Sequence, residues 1–241
     1  MAEVPTPEDK SARKVREMFG AVAPVYDRLN HLLSLSLDRL WRRAAARSLR
    51  GTEGPVLDLC CGTGDQAVRL RREGFSVTAV DFCFPMLVLA RSKFRSERAE
   101  LAGGRPRPLS GDALTMPFRN RTFSGIAVSF GIRNFADLDR GLREMARVLA
   151  PGGRVVILEF ALPRARLVRW LYLFYFRRVL PCIGGWISRH EGAYDYLPSS
   201  VLTFPQREEL TRRLEAAGFR ETEWRDLSWG TVCLYTARRE R

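Results

Sequence analysis

Between Val56 and Asp65 the chain runs Val-Leu-Asp-Leu-Cys-Cys-Gly-Thr-Gly-Asp, an apolar strand that turns through two glycines into a helix. Val56, Leu57 and Leu59 form the run of a buried parallel strand, and Gly62 and Gly64 let the backbone turn tightly and approach a ligand with no Cβ in the way. The helix expected over 65–73 aims its positive end at whatever lies above the turn. Further on, Asp81 ends a second apolar strand, Val77-Thr78-Ala79-Val80, where a carboxylate can accept both hydroxyls of a ribose. Together the turn and the acid call for a nucleotide-type cofactor, and therefore an enzyme. Gly62-Thr63-Gly64-Asp65-Gln66-Ala67 also satisfies Gly-x-Gly-x-x-Ala, so an NAD-dependent oxidoreductase stands as an alternative.

The elements around this turn alternate. Residues 1–50 precede them as an N-terminal helical cap, with Leu29, Leu32, Leu33, Leu37, Leu40 and Trp41 near helical spacing. From residue 51 strands are expected at 56–60, 76–81, 106–111, 123–130 and 154–161, with helices at 65–73, 84–95 and 137–149. Pro151-Gly152-Gly153 is the stop signal of the last of these helices. Residues 164–204 read as an irregular, aromatic, substrate-side insertion. A helix at 205–217 and two strands at 219–226 and 230–237, turned at Ser228-Trp229-Gly230, close the chain. Such alternation predicts an α/β fold, a doubly wound and mostly parallel seven-stranded sheet with a C-terminal antiparallel hairpin, in one domain over 51–241.

The 241 residues carry a net charge of +13. Lysine supplies only Lys10, Lys14 and Lys93 of that charge, and the arginines are spread along the whole chain, as on a solvated surface. No basic tract with interleaved stacking aromatics occurs, so specific nucleic-acid binding is not expected, and an RNA methyltransferase or RNA-binding protein is the weaker alternative. Cys60, Cys61, Cys83, Cys182 and Cys233 form no Cys-x-x-Cys pair and read as reduced core residues. With two distant histidines, His31 and His190, no metal site is expected. Met1 to Lys10 is polar and proline-containing, which predicts a cytoplasmic protein without a secretory or transit signal.

The assembled motifs resemble the class I S-adenosylmethionine-dependent methyltransferases: Asp58 with Gly62-Thr63-Gly64, Asp81 after strand two, Gly111-Asp112-Ala113 after strand three, and Ser129 closing strand four. Others narrow the likeness. Tyr26-Asp27 with Asn30, Trp41-Arg42, Ser129-Phe130-Gly131-Ile132-Arg133-Asn134, Leu158-Glu159-Phe160 and Tyr194-x-Tyr196-Leu197-Pro198-x-Ser200 look like the C-methyltransferases of menaquinone and ubiquinone biosynthesis. That family has a small hydroxyl residue near position 83, where this chain has Cys83. The resemblance implies S-adenosylmethionine as cofactor, with Gly62, Thr63 and Gly64 at its methionine end, Asp81 on the ribose, Asp112 and Ala113 at the adenine, Ser129 near the methionyl region, and Asp58 ordering the loop or meeting the amino group.

The implied substrate is a prenylated quinol, a demethylmenaquinol or a ubiquinol precursor. A quinone ring is electrophilic, so the acceptor must be reduced, and its carbon becomes nucleophilic as a phenolic proton leaves. Ionising a phenol of pKa about 10 at neutral pH costs about 4 kcal/mol. A fixed cation lowers that cost, which selects Arg133 at the end of strand four, with Asn134 as orienting partner. Arginine cannot serve as a neutral base, so proton removal falls to water or a nearby carboxylate, with His31 and His190 as alternatives. Tyr194 and Tyr196 would wall the ring pocket. The run Leu167 to Pro181 is too charged to span a bilayer, but 167–187 could lie on the inner face of a membrane as a peripheral contact, Arg169, Arg177 and Arg178 at the headgroups and Trp170, Leu171 and Phe174 below them. A core helix or a homodimer contact accounts for the same residues.

Overall fold

The computed structural model describes Thr6 and residues 11–97, 104–175, 178 and 192–240, the side chains of 192–195 excepted. Its centre is a seven-stranded sheet in the order β3-β2-β1-β4-β5-β7-β6. The strands are β1 (Val56–Leu59), β2 (Val77–Asp81), β3 (Arg107–Ser110), β4 (Phe123–Ser129), β5 (Leu149–Phe160), β6 (Phe219–Leu227) and β7 (Val232–Arg239). The first five are parallel, and β7 runs antiparallel between β5 and β6. β1 is buried at all four positions, as its unbroken apolar run requires of a strand covered on both faces.

Helices cover both faces. On one lie α3 (Leu37–Ser48), α4 (Asp65–Arg72) and α5 (Phe84–Ser96), whose Trp41, Ala45, Leu70 and Ala90 pack with Val56, Ala79 and Val156. On the other lie α6 (Leu138–Val148), with Leu142 and Met145, and α9 (Glu208–Ala216), with Leu210 and Leu214, against Leu57, Ile126 and Ile157. α1 (Ala12–Val22) and α2 (Tyr26–Leu33) precede α3, and Val22 and Ala23 pack on Cys83 and Met86 above the carboxyl ends of the strands. Because strand order reverses between β1 and β4, a crevice opens there, the usual ligand position in such sheets.

Two segments depart from the sequence expectation. β5 begins at Leu149 rather than 154, since fully buried Leu149 pairs with Phe123. Pro151-Gly152-Gly153 therefore sits in a bulge within the strand, where two steps along β4 (Phe123 to Gly125) face five along β5 (Leu149 to Arg154). The insertion 164–204 contains regular helix, α7 (Arg166–Phe174) and α8 (Gly192–Thr203). α7 buries none of its residues, so an apolar run that reads as aromatic irregularity in sequence is a helix presenting that run outward.

Candidate active site

The turn after β1 is built from torsions only small residues accept cheaply. Gly62 and Gly64 sit at φ +54° and +89°, and a Cβ on Gly64 would lie 2.5 Å from Phe94 Cε1. From β2, Asp81 accepts hydrogen bonds from the Gly62 amide (2.8 Å to Oδ2) and the Cys83 amide (2.8 Å to Oδ1), and so locks this turn to the start of α5. Only the backbone of Cys83 is used, which is why the missing hydroxyl costs nothing at this point. Burial pushes the Asp81 carboxyl up while these amides pull it down.

The β4 loop meets the β1 loop directly. A Cβ on Gly131 would come within 2.5 Å of Cys60 Cβ, so glycine lets the two loops touch, and Cys60 and Phe130 accept positive φ of 58° and 60° on either side. The following single helical turn, Ile132–Asn134, carries Arg133 and Asn134. Arg133 is buried; its Nη1 donates to Glu159 Oε1 at 2.7 Å and to the Phe130 carbonyl at 2.7 Å, and its guanidinium lies 5.5 Å from the Phe160 ring centre. A buried ion pair with β5 thus replaces the surface salt bridge that an arginine near a strand end usually forms. Burial disfavours its charge, but Glu159, Tyr26 and Tyr196 outweigh that and hold its pKa up. Asn134 Oδ1 accepts from the Tyr196 hydroxyl at 2.9 Å.

Two hollows flank these loops. A cleft of about 920 Å³, its open mouth included, is lined by Gly62, Thr63, Asp81, Asp112, Ala113, Ser129 and Asn134. A larger apolar cavity of about 1530 Å³, likewise open, is lined by Leu29, Leu33, Leu37, Trp41, Tyr172, Tyr175, Tyr196 and Arg133. Phe19, Tyr26, Arg42 and Phe130 line both. Phe130 is held between Phe160, 4.6 Å away, and Trp41, 6.2 Å away.

Of the expected cofactor residues, six line the cleft, whereas Asp58 and Gly64 stand behind the turn. Gly64 supports it by its close packing. Asp58 is 1% exposed, neither carboxylate oxygen has a partner within hydrogen-bonding geometry, and burial pushes its pKa up to about 8 against the pull of Arg42. The Ser129 hydroxyl is also buried without a partner among the described residues. Asp112 turns one oxygen to the Leu114 amide at 2.9 Å, which shapes the β3 loop. An orphaned hydroxyl on the cleft wall, beside a turn stripped of side chains, fits a polar ligand such as S-adenosylmethionine, because buried polar atoms are otherwise satisfied.

Of the expected substrate residues, Tyr196 is on the cavity wall, while the side chain of Tyr194, His190 and most of 176–187 lie outside the described residues. His31 is not on either wall: its Nδ1 lies 3.0 Å from Asp38 Oδ2 and its Nε2 3.8 Å from Asp65. These three residues place ligand-type atoms within 4.8 Å of one another, yet Lys93 Nζ at 2.5 Å already supplies Asp65 with positive charge. Lys93 also reaches Asp27 at 2.8 Å, and Asp27 accepts from Thr63, so α2 is latched to the cofactor turn. Tyr26 and Phe130 were not singled out as site residues from the sequence. Their signal was present in the Tyr-Asp and Phe-Gly-x-Arg-Asn motifs, but nothing local says that they form a shared wall.

Comparison with known proteins identifies the family of the chain. The profile of the ubiE/COQ5 methyltransferase family matches residues 7–239. Among similar proteins, the ubiquinone/menaquinone biosynthesis C-methyltransferase UbiE of Geobacter sulfurreducens is 45% identical over 94% of this chain and 89% of its own length. The demethylmenaquinone methyltransferase of Deinococcus radiodurans is 46% identical over 95% of this chain and 93% of its own. In fold, the chain resembles a Thermotoga maritima SAM-dependent methyltransferase, described as a possible histamine N-methyltransferase, with TM-score 0.66 and 19% identity over 93% of this chain and 99% of that one. It also resembles the [4+2]-cyclase SpnF, with TM-score 0.68 and 19% identity over 98% and 97% of the two chains.

Proposed function

We propose that this chain, which belongs to the ubiE/COQ5 methyltransferase family and is an S-adenosylmethionine-dependent C-methyltransferase of quinone biosynthesis, takes as acceptor a prenylated ring in its reduced, quinol state. The observation that supports this most is the shared wall: Phe19, Tyr26, Arg42 and Phe130 separate and join a cleft that three carboxylates line and a large apolar cavity. A prenyl tail suits the leucine- and aromatic-lined cavity, and its ring would then meet the cofactor at that wall.

When bound, S-adenosylmethionine supplies an activated methyl group on a sulfonium. Gly62 and Thr63 would hold its methionine end, Asp81 the ribose, Asp112 and Ala113 the adenine, and Ser129 the methionyl region. The protein's main task is alignment and exclusion of water. Arg133, on the cavity wall, lowers the cost of the phenolate that makes the ring carbon nucleophilic. Asn134 faces the cleft and Tyr196 the cavity, so their hydrogen bond ties the two halves of the site together. The phenolic proton passes to water or to Asp38, the one carboxylate among the cavity's described lining residues.

No helix among the described residues is long and apolar enough to cross a membrane. Leu35, on the cavity wall, is however 82% exposed, and on α3 and α7, which give Leu37, Trp41 and Tyr172 to that wall, Leu40, Trp170 (61%) and Phe174 are exposed too. Arg39, Arg166 and Arg169 are exposed beside them. This rim supports a peripheral contact with an anionic membrane that holds the substrate. The function is tested by supplying dithionite-reduced demethylmenaquinol, a reduced benzoquinol precursor, and their oxidised forms with S-adenosylmethionine. Methylation of a reduced ring alone is expected, and no transfer to either quinol would overturn it.

A further inference from the structure

We propose that Arg42 is the counter-ion of the cofactor's α-carboxylate, an inference that rests on the S-adenosylmethionine reading of the cleft. Arg42 is 9% exposed, and none of its side-chain nitrogens makes a hydrogen bond to a described residue. Its closest carboxylate oxygen, Asp38 Oδ2, is 3.7 Å away, beyond hydrogen-bond distance, and is already engaged by His31. The guanidinium instead lies 5.3 Å from the Phe130 ring centre, on the wall of the cleft. A buried cation with unused donors is costly unless something brings an acceptor.

The cleft's charge pattern identifies that acceptor. Among its lining residues Arg42 is the one cation, set against Asp65, Asp81 and Asp112. The sulfonium and ammonium of S-adenosylmethionine suit those carboxylates, while its carboxylate, the single anion of the molecule, has Arg42 alone to pair with. Arg42 acts at the methionine end of the cleft: although burial pushes the Asp65 carboxyl up, Arg42 leads the charges that hold it below its usual range. Asp65 opens α4, whose N-terminal amides favour an anion at the same end. On the cavity side the need for a cation is already met by Arg133. The planar five-donor fork of arginine matches a carboxylate in a way a lysine does not.

Calorimetry with two ligands tests this. S-adenosylhomocysteine carries the carboxylate, and 5′-methylthioadenosine keeps the adenosine and thioether but lacks it. Arg42→Gln is expected to weaken S-adenosylhomocysteine by about 10- to 100-fold, the size of a lost charged hydrogen bond, while leaving 5′-methylthioadenosine within about 2-fold; Arg42→Lys should fall between. Independently of any variant's folding, the carboxamide of S-adenosylhomocysteine should lose the same factor on the unaltered protein. Equal weakening of both ligands, no weakening of either, or a defect confined to the quinol KM would overturn the proposal. If the unaltered protein bound no S-adenosylhomocysteine, the cofactor reading itself would fail instead.

Discussion

Arg133 and Glu159 give opposite predictions for the pH dependence of methyl transfer. Their 2.7 Å contact is buried, so a phenol in the cavity feels the guanidinium partly offset by the carboxylate behind it. For a phenolic oxygen about 4 Å from the guanidinium, at an effective dielectric of about 20, the attraction is about 4 kcal/mol. A carboxylate about 8 Å away returns about half of that, which leaves about 2 kcal/mol, or about 1.5 pH units off the phenol's pKa. Activity rises with pH as the phenol ionises. Glu159→Gln should therefore move the acid limb of the profile down by about 1.5 units, and Arg133→Gln should move it up by about 3. The assay is the single-turnover rate of ring methylation with reduced quinol against pH, with S-adenosylhomocysteine affinity expected to hold. Breaking a buried pair also costs about 3–5 kcal/mol of stability, so rates are taken well below each variant's Tm. Limbs that shift in the same direction, or not at all, would refute the electrostatic role of this pair.

Gly64→Ala combines a left-handed torsion with a contact on Phe94, costing about 1–2 kcal/mol of backbone strain and about 1–3 of overpacking; Tm should fall, and adding Phe94→Leu should restore the packing part only. Asp58, with its pKa near 8 in the folded chain, holds a proton that the unfolded chain loses near pH 4. Its contribution is complete below that lower value and is lost as pH rises through 8, so the Tm advantage of Asp58→Asn over the parent should grow from pH 5 to pH 8; a constant difference would count against it. Leu35→Asp with Trp170→Glu should abolish co-sedimentation with phosphatidylglycerol vesicles while methylation of a short-chain quinol in detergent persists, whereas retained binding would remove this rim as the membrane contact.

Sequence alone determined what is encoded within a few neighbouring residues. The apolar run of β1, the glycines after it and the acid closing β2 are local signals, and each carries its structural meaning in its own spacing. The alternation of strands and helices likewise fixed the doubly wound class, because a parallel strand pair needs a crossover between its members. Element boundaries failed where a distant partner decided them. Leu149 extends because Phe123 lies beside it, against the stop signal that begins two residues later. α7 is helical though none of its residues is fully buried.

The site depended on tertiary structure more heavily. Glu159 lies in the Leu158-Glu159-Phe160 motif, but its pairing with Arg133 spans 26 residues and arises only because β5 lies beside β4. Asp58 and Gly64 share a motif with Gly62 and Thr63, yet the turn places them behind the cleft rather than on it. The wall shared by cleft and cavity draws on α1, α2, α3 and the β4 loop, segments that no periodicity links. Residue type and spacing specify what chemistry a chain can perform, whereas the burial that leaves the Arg42 Nε and the Asp58 carboxylate without hydrogen bonds is a property of the packed fold.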